Sequence, residues 1–323
     1  MQIIREFAGS FLNRDLDVQF PKKNLLQISV CFDCSDGLLT TKFKFFKIRK
    51  SYKILRFLGI AMKPDLSIII PAYNESQRIG GSIRKILNYI KREKLNAELI
   101  VIDDGSKDNT FETANNACVE FFDLQTKVVR YEKNQGKGFA VRTGLRKAQG
   151  EVALFSDADL STPIEELFKL VKPIQDGEFD LTFGSRALDK SLIGTHQPWR
   201  REQGGKVFNL IVRTLTGLPF WDTQCGFKAF NMRKFRPLLN AMKINRFGFD
   251  VEFLFVADYK GLKLSEIPVR WNHCDGTKVS IFRDSCLMFN EVRQIRRNAN
   301  LGRYETTNTS AKISPIGAAS QSY

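Results

Sequence analysis

Long hydrophobic runs are missing from this sequence. No window reaches the ~20 apolar residues that a membrane-spanning helix requires. The nearest approach, VFNLIVRTLTGLPFW at 207–221, is broken by Arg213. A secretory leader is missing too: Arg5, Glu6, Arg14, Asp15 and Asp17 stand where an apolar core would be needed. The chain is therefore expected to touch a membrane without crossing it. Cysteine is sparse and scattered. Of the six, only Cys31 and Cys34 form a CxxC pair, which lacks the further ligands of a zinc site. Isolated reduced thiols of an intracellular protein are the expectation. The phosphate-binding glycine signatures are absent: there is no G-x-x-x-x-G-K-[ST], and no G-x-G-x-x-G follows the first strand. Zinc-finger, homeodomain and RNP-like patterns are absent as well, so no motif supports a nucleic-acid partner. Finally, acidic residues are missing from 42–63, where eight lysines and arginines are interspersed with Phe43, Phe45, Phe46 and Phe57.

That basic stretch contributes to a formal net charge of +15 and would be drawn to phosphate-rich partners. Nucleic acid and an anionic membrane surface both qualify on charge; the missing motifs leave the membrane as the expected one. The remaining composition is that of a globular core, with 43% hydrophobic and 26% charged residues in 323. A disordered or collagen-like chain is excluded. One large α/β domain with appendages is expected.

Residues 1–64 show little periodicity and read as a basic accessory region. The pattern sharpens at Leu66. LSIIIPAYNE, AELIVIDDGS, TKVVRYEKN and EVALFSDAD read as four strands, and 76–93, 108–122 and 137–150 as the helices between them. Nearly unbroken apolar runs mark strands covered on both faces. Strands alternating with helices predict a parallel sheet with helices on both faces, and ligands at the carboxyl ends of the strands. Further on, the spacing predicts a helix over 163–174, a strand over 179–187, a polar and movable loop over 188–206 and an apolar helix over 206–217. It then predicts a buried helix over 249–261, an edge strand over 263–273 tolerating Pro268, and an amphipathic helix over 280–298. The tail from Asn300 is rich in small and polar residues and reads as disordered.

Chemistry collects at the strand ends. Asp157 and Asp159 follow an apolar run, and strand alternation would point both the same way. Two close carboxylates repel unless a cation lies beside them, and a hard divalent ion would serve; the alternative is a turn with a helix cap. Asp103 and Asp104 close a neighbouring strand, and Asn74 and Glu75 another. In NQGKGFAVRTG, Gly136 and Gly138 permit close backbone approach to a ligand while Lys137 or Arg142 supplies charge; a plain strand-to-helix turn is the alternative.

IIIPAYNE, VIDDGSKDNT, NQGKGFAVRTG, SDADLSTP and DTQCGFKAF, in that order, closely resemble the family 2 glycosyltransferases. The likeness spans about residues 65–297. Within that family it points to the enzymes that glycosylate polyprenyl (dolichyl or undecaprenyl) phosphates. The resemblance implies a GT-A nucleotide-sugar-binding fold over 65–279, with 280–299 as a C-terminal amphipathic helix. It places Pro71, Tyr73, Asn74, Glu75 and Asp103 on the uridine or its ribose, with Asp104, Lys137 and Ala158 in the same donor cleft. Asp157 and Asp159 match its DxD motif, with Asp159 the direct ligand of Mg²⁺ or Mn²⁺. Arg186, Arg200, Arg201 and Lys278 are candidate clamps for the acceptor phosphate. Asp222 is a polar contact to the ligand or to Arg186, not a base. Ser161 stands where mannosyl relatives often carry glutamine, and DTQCGFKAF leans toward the glucosyl branch.

The expected reaction moves glucose from UDP-glucose to a polyprenyl phosphate with inversion; mannosyl or N-acetylglucosaminyl transfer, or another acceptor, is the alternative. A non-enzymatic nucleic-acid-binding protein is the distant alternative, and no nucleic acid is expected as a partner. The expected location is the cytosolic face of a membrane, held peripherally or by a membrane-protein partner, with 206–217 and 280–298 supplying apolar faces; for 280–298 an interfacial helix and core packing with a basic outer face are equal alternatives.

Overall fold

A computed structural model describes residues 63–195, 199–274 and 281–305, together with two short strands nearer the N-terminus. The chain divides into two compact units, 1–62 and 63–323. In the first, Val30–Asp33 (β1) pairs antiparallel with Thr40–Phe43 (β2). The rest of the basic accessory region, Cys34 included, lies outside the described residues, as do Lys278 and the chain from 306.

The second unit runs β3 (Leu66–Ala72), α1 (Ile79–Arg92), β4 (Ala97–Asp103), α2 (Thr110–Val119), β5 (Gln125–Arg130), α3 (Lys137–Lys147), β6 (Val152–Ser156), α4 (Leu167–Gln175) and β7 (Leu181–Ser185). It continues with β8 (Ile193–Thr195), α5 (Trp199–Thr216), β9 (Phe227–Asn231), α6 (Phe249–Tyr259), β10 (Leu264–Pro268), β11 (Trp271–Asn272) and α7 (Ile281–Asn300). Seven strands form one sheet in the order β10-β7-β9-β6-β3-β4-β5. All neighbours are parallel except β9, which is antiparallel to β6 and to β7.

Every residue of β3, β4 and β6 is buried, because side chains on both faces meet helices. Ile69, Ile100, Ile102, Ala153 and Phe155 join one core with residues of α3, α5, α6 and α7. Ile68, Ile70, Leu99, Val101 and Leu154 join the other with residues of α1, α2 and α4. Each of these isoleucine, leucine, valine and phenylalanine side chains contributes about 1.5–3 kcal/mol on leaving water. The α1 stripe of Ile79, Ile83, Ile86, Leu87 and Ile90 is buried at helical spacing, and Lys91 and Arg92 stand in its last turn, where the dipole favours cations.

Two findings depart from the sequence reading, and the direction of β9 adds to it. The polar stretch 188–206 holds a short strand, β8, paired with β11, and its end is already the start of α5. The antiparallel β9 brings Phe227 opposite Ser156, so the turn before β9 lies at the carboxyl ends of the parallel strands. The tail expected from 300 is anchored at its start: Tyr304 is fully buried and its hydroxyl donates to Glu252 Oε1 at 2.8 Å.

Candidate active site

β6 stops at Ser156, and 157–160 is a turn closed by Leu160 N donating to Asp157 O (3.1 Å), with Leu160 at φ +50°. Strand alternation therefore does not extend to Asp157 and Asp159, and the expectation that it aligns them is corrected: the backbone leaves extended geometry as the pair begins. A turn places them instead. Asp157 N donates to Gly226 O at 3.1 Å. Its carboxylate lies flat on Gly226, where a Cβ would stand 2.6 Å from Oδ1; only glycine permits that approach. Ala158 is buried, and its carbonyl accepts from Ser82 Oγ of α1 at 2.6 Å.

Lys137, the first residue of α3, reaches Asp157 Oδ1 with Nζ at 2.6 Å; the two side chains keep 28% and 32% exposure. Burial opposes the ammonium, but Asp157, Asp250 and Asp159 together raise its pKa above the usual lysine value. Asp159 Oδ1 accepts from Ser161 N at 2.9 Å. The turn thus presents two hard oxygen donors and already draws one cation, Lys137, to Asp157. That donor set fits Mg²⁺ or Mn²⁺. Among the described residues no cluster of three or more His, Cys, Asp or Glu that could hold a metal ion is present.

The ends of β3 and β4 are cross-braced. Pro71 is buried in β3, and Tyr73, Asn74 and Glu75 follow it half-buried. Asn74, at φ +52°, accepts from Lys107 N at 2.8 Å and donates its backbone N–H to Ser106 Oγ at 2.9 Å. Glu75 N donates to Thr110 Oγ1 at 2.7 Å, and its carboxylate meets Arg78 at 2.5 Å. Asp103 is fully buried; Oδ1 accepts from Ser106 N at 3.1 Å and Oδ2 lies 3.4 Å from Arg130 Nε. Asp104 turns to the loop that carries Lys137. It accepts from Asn134 Nδ2 (2.9 Å), Gln135 N (2.8 Å) and Gly136 N (2.8 Å). Burial pushes its carboxyl up, against the pull of those backbone N–H groups. Gly136 takes φ +103° there.

At the end of β7, Arg186 forms a fork with Asp222: Nε and Nη2 each donate at 2.7 Å, and the backbone N adds a bond at 2.9 Å. The guanidinium stands 5.5 Å from the centre of the Trp271 ring. Burial alone would lower its pKa and raise that of Asp222. Their mutual attraction wins, so Arg186 is held above the ordinary arginine value and Asp222 below the ordinary carboxylate range; Asp157 contributes to the field at Arg186. Glu266 braces the turn by accepting from Asp222 N at 2.7 Å and Trp221 N at 2.8 Å.

The structure thus brings together Asp157, Asp159, Lys137, Arg186 and Asp222. Arg200 and Arg201 lie in the first turn of α5, with side chains outside the described residues. Sequence reasoning missed Gly226, Glu266, Lys228 and Asp250. The last two left a signal, since each is a charge inside an apolar run.

Comparison with known proteins gives the class and then the family. Glucosyl-3-phosphoglycerate synthase of Mycobacterium tuberculosis, solved with Mn²⁺, UDP-glucose and phosphoglyceric acid, superposes with a TM-score of 0.55 at 19% identity, covering 81% of this chain and 87% of that one. This likeness is one of fold, and the fold is GT-A. The profile of glycosyl transferase family 2 matches residues 67–239. Human dolichyl-phosphate beta-glucosyltransferase is 32% identical over 280 residues, 82% of this chain and 86% of the human protein. The Saccharomyces cerevisiae protein of the same name is 32% identical over 258 residues, covering 74% and 76% of the two chains. The chain belongs to glycosyltransferase family 2.

Proposed function

We propose that the protein transfers glucose from UDP-glucose to a polyprenyl phosphate of the dolichyl type, with inversion at the sugar. The observation that carries this reading is the pairing of a cation-attracting carboxylate turn with an arginine fixed in place by Asp222. The first suits a nucleoside diphosphate, the second a phosphate monoester. The names of the relatives supply glucose and dolichyl phosphate.

The chemistry follows from charge. A lipid phosphate oxygen is already anionic and needs little help from a base. Asp222, forked by Arg186 and held below the usual carboxylate range, is a poor proton acceptor and acts by aiming Arg186. Among the described residues no partner takes Arg186 Nη1, which leaves that edge for the acceptor phosphate. Asp159 and Asp157 would hold Mg²⁺ or Mn²⁺, which supplies positive charge for the leaving UDP. Lys137 adds charge on the same side. Pro71, Tyr73, Asn74, Glu75 and Asp103 form the uridine wall; Asp104 shapes the loop between them and Lys137. Arg200, Arg201 and Lys278 would add positive charge for the acceptor phosphate. Direct displacement gives a β-linked product from an α-linked donor.

The acceptor tail needs lipid. α5 exposes Val207 and Leu210, and Trp221 is exposed near them in sequence, with the Arg213 guanidinium 4.0 Å from the Trp221 ring. These groups support peripheral contact with an anionic membrane surface on the cytosolic side. Among the described residues no helix is long and apolar enough to cross a membrane. Residues 65–279 are the catalytic domain in this reading; α7 buries Met288, Val292 and Ile295 in the core, so among the described residues 280–299 would offer lipid only Leu287 and Phe289.

Incubation with a panel of nucleotide sugars, Mg²⁺ and a polyprenyl phosphate, read by the mass of the lipid product, tests the proposal. UDP-glucose should yield the glucosyl lipid in preference to the mannosyl and N-acetylglucosaminyl products. Efficient transfer to a soluble alcohol, with none to the lipid, would defeat it.

A further inference from the structure

Among the described residues Lys228 is the most fully buried lysine or arginine. It lies in β9, opposite Phe155 of β6 and Phe183 of β7, and its side chain is fully buried. Its neighbours in β9 are core residues: Phe227 and Ala229 in one cluster, Phe230 in the other. An ammonium in such a layer is costly unless it is paired and hydrogen-bonded. Here Nζ donates to Asp250 Oδ1 at 2.7 Å and to the carbonyl of Cys225 at 2.5 Å. Asp250 lies in the first turn of α6. Lys228 therefore ties three pieces of chain together: its own strand, the start of α6 and the exit of the turn before β9.

That turn carries both halves of the proposed site. At its entrance Glu266 holds Trp221 N and Asp222 N, and Asn209 Oδ1 accepts from Thr223 Oγ1 at 2.8 Å. At its exit the bond from Lys228 to Cys225 O is the fastening. Between these points sit Asp222, which forks Arg186, and Gly226, on which Asp157 rests by backbone and carboxylate alike. A hydrophobic side chain of similar length would fill the space of Lys228 but leave Cys225 O and Gly226 without their tie to α6.

We propose that Lys228, paired with Asp250, is a positioning residue for the active site: it fixes the 222–226 turn and, through Gly226, the metal-binding carboxylate of Asp157. The inference rests on the reading of Asp157 and Asp159 as the metal turn. It assigns Lys228 no contact with substrate.

The test uses paired replacements, so that no lone buried charge is left. Lys228→Met with Asp250→Leu makes the pair apolar; Lys228→Gln with Asp250→Asn keeps it polar and too short to reach Cys225 O. Binding of UDP in the presence of Mn²⁺ is measured by calorimetry on the full chain without acceptor, beside far-UV circular dichroism and thermal melting. Val256→Ala, a buried change further along α6, serves as the control for simple loss of stability. The expected result is a folded pair variant that binds UDP·Mn²⁺ about 10–100-fold more weakly, the range for loss of outer-shell support. Val256→Ala should melt earlier with affinity unchanged. Wild-type affinity in either folded pair variant overturns the proposal. Unfolding of both pair variants overturns it too, by assigning the pair to the core alone. Absence of UDP·Mn²⁺ binding in the wild type would remove the functional reading, and this inference with it.

Discussion

Gly226→Ala puts one methyl group on the floor of the metal turn. The new Cβ would stand 2.6 Å from Asp157 Oδ1, and nearer still to Oδ2 and Cγ. Ordinary contact begins at about 3.5 Å, so the carboxylate must retreat by roughly 1 Å at Oδ1 and by more at Oδ2. Gly226 is not among the positive-φ glycines, so alanine suits its backbone and the adjacent pairing of Ser156 with Phe227 survives. Lys137 follows the carboxylate it is paired with, so its charge and the proposed metal ligand move together. A misplacement of about 1 Å costs on the order of 100-fold in rate, or ~2.7 kcal/mol. The assay is kcat/KM for UDP-glucose at saturating lipid, with a Mn²⁺ titration and a melting curve. The variant should melt near the wild type, transfer about 100-fold more slowly and need more Mn²⁺. A well-folded variant with wild-type kcat/KM would refute the claim that the carboxylate's position on Gly226 matters.

The other predictions concern the same cleft and its anchor. Asp159→Ala should abolish transfer while leaving the circular dichroism unchanged, because the Asp159 side chain is itself only half-buried; retained activity contradicts the metal role. Arg186→Lys keeps a charge but loses the fork, and should raise KM for the polyprenyl phosphate about tenfold, the equivalent of one charge-assisted hydrogen bond, with UDP affinity unchanged. Tyr304→Phe removes the 2.8 Å donor to Glu252 and should cost about 1.5–3 kcal/mol in urea unfolding, with little change in kcat. Asp222 has a depressed folded-state pKa. Its stabilising contribution is therefore complete above the unfolded value of about 3.9 and is lost as pH falls through the folded value. The stability gap between wild type and Asp222→Asn should be flat above roughly pH 5 and close below about pH 4; a gap that widens on acidification would reverse the sign of the argument.

The parallel sheet was legible because apolar runs such as Leu66–Ala72 cannot be half-solvated, and because the α1 isoleucines repeat at helical spacing. The antiparallel direction of β9 was not, since the pattern of a strand says nothing about the sense in which it runs. α5 starts at Trp199 despite Gly204 and Gly205; burial of Phe208 and Val212 outweighs the local penalty for glycine, a tertiary effect no short window contains. The paired charge of Asp157 and Asp159 was the basis for proposing a cation there, but it did not reveal the turn at Leu160 that places them. Asp104 looked equivalent to Asp103, yet backbone N–H groups of a distant loop take its oxygens. Contact of Asp222 with Arg186 was among the readings open from sequence. Lys228 and Asp250 were readable as two misplaced charges; their pairing across 22 positions needed the fold.

The central claim is that a divalent cation at the Asp157–Asp159 turn carries the charge of the departing UDP. Calorimetric titration of UDP into the wild-type protein, with Mn²⁺ and again with EDTA, tests it most directly. The account predicts at least about a tenfold loss of affinity in EDTA, ~1.4 kcal/mol, reproduced in Asp159→Ala with Mn²⁺ present. Equal UDP affinity with and without metal would contradict it.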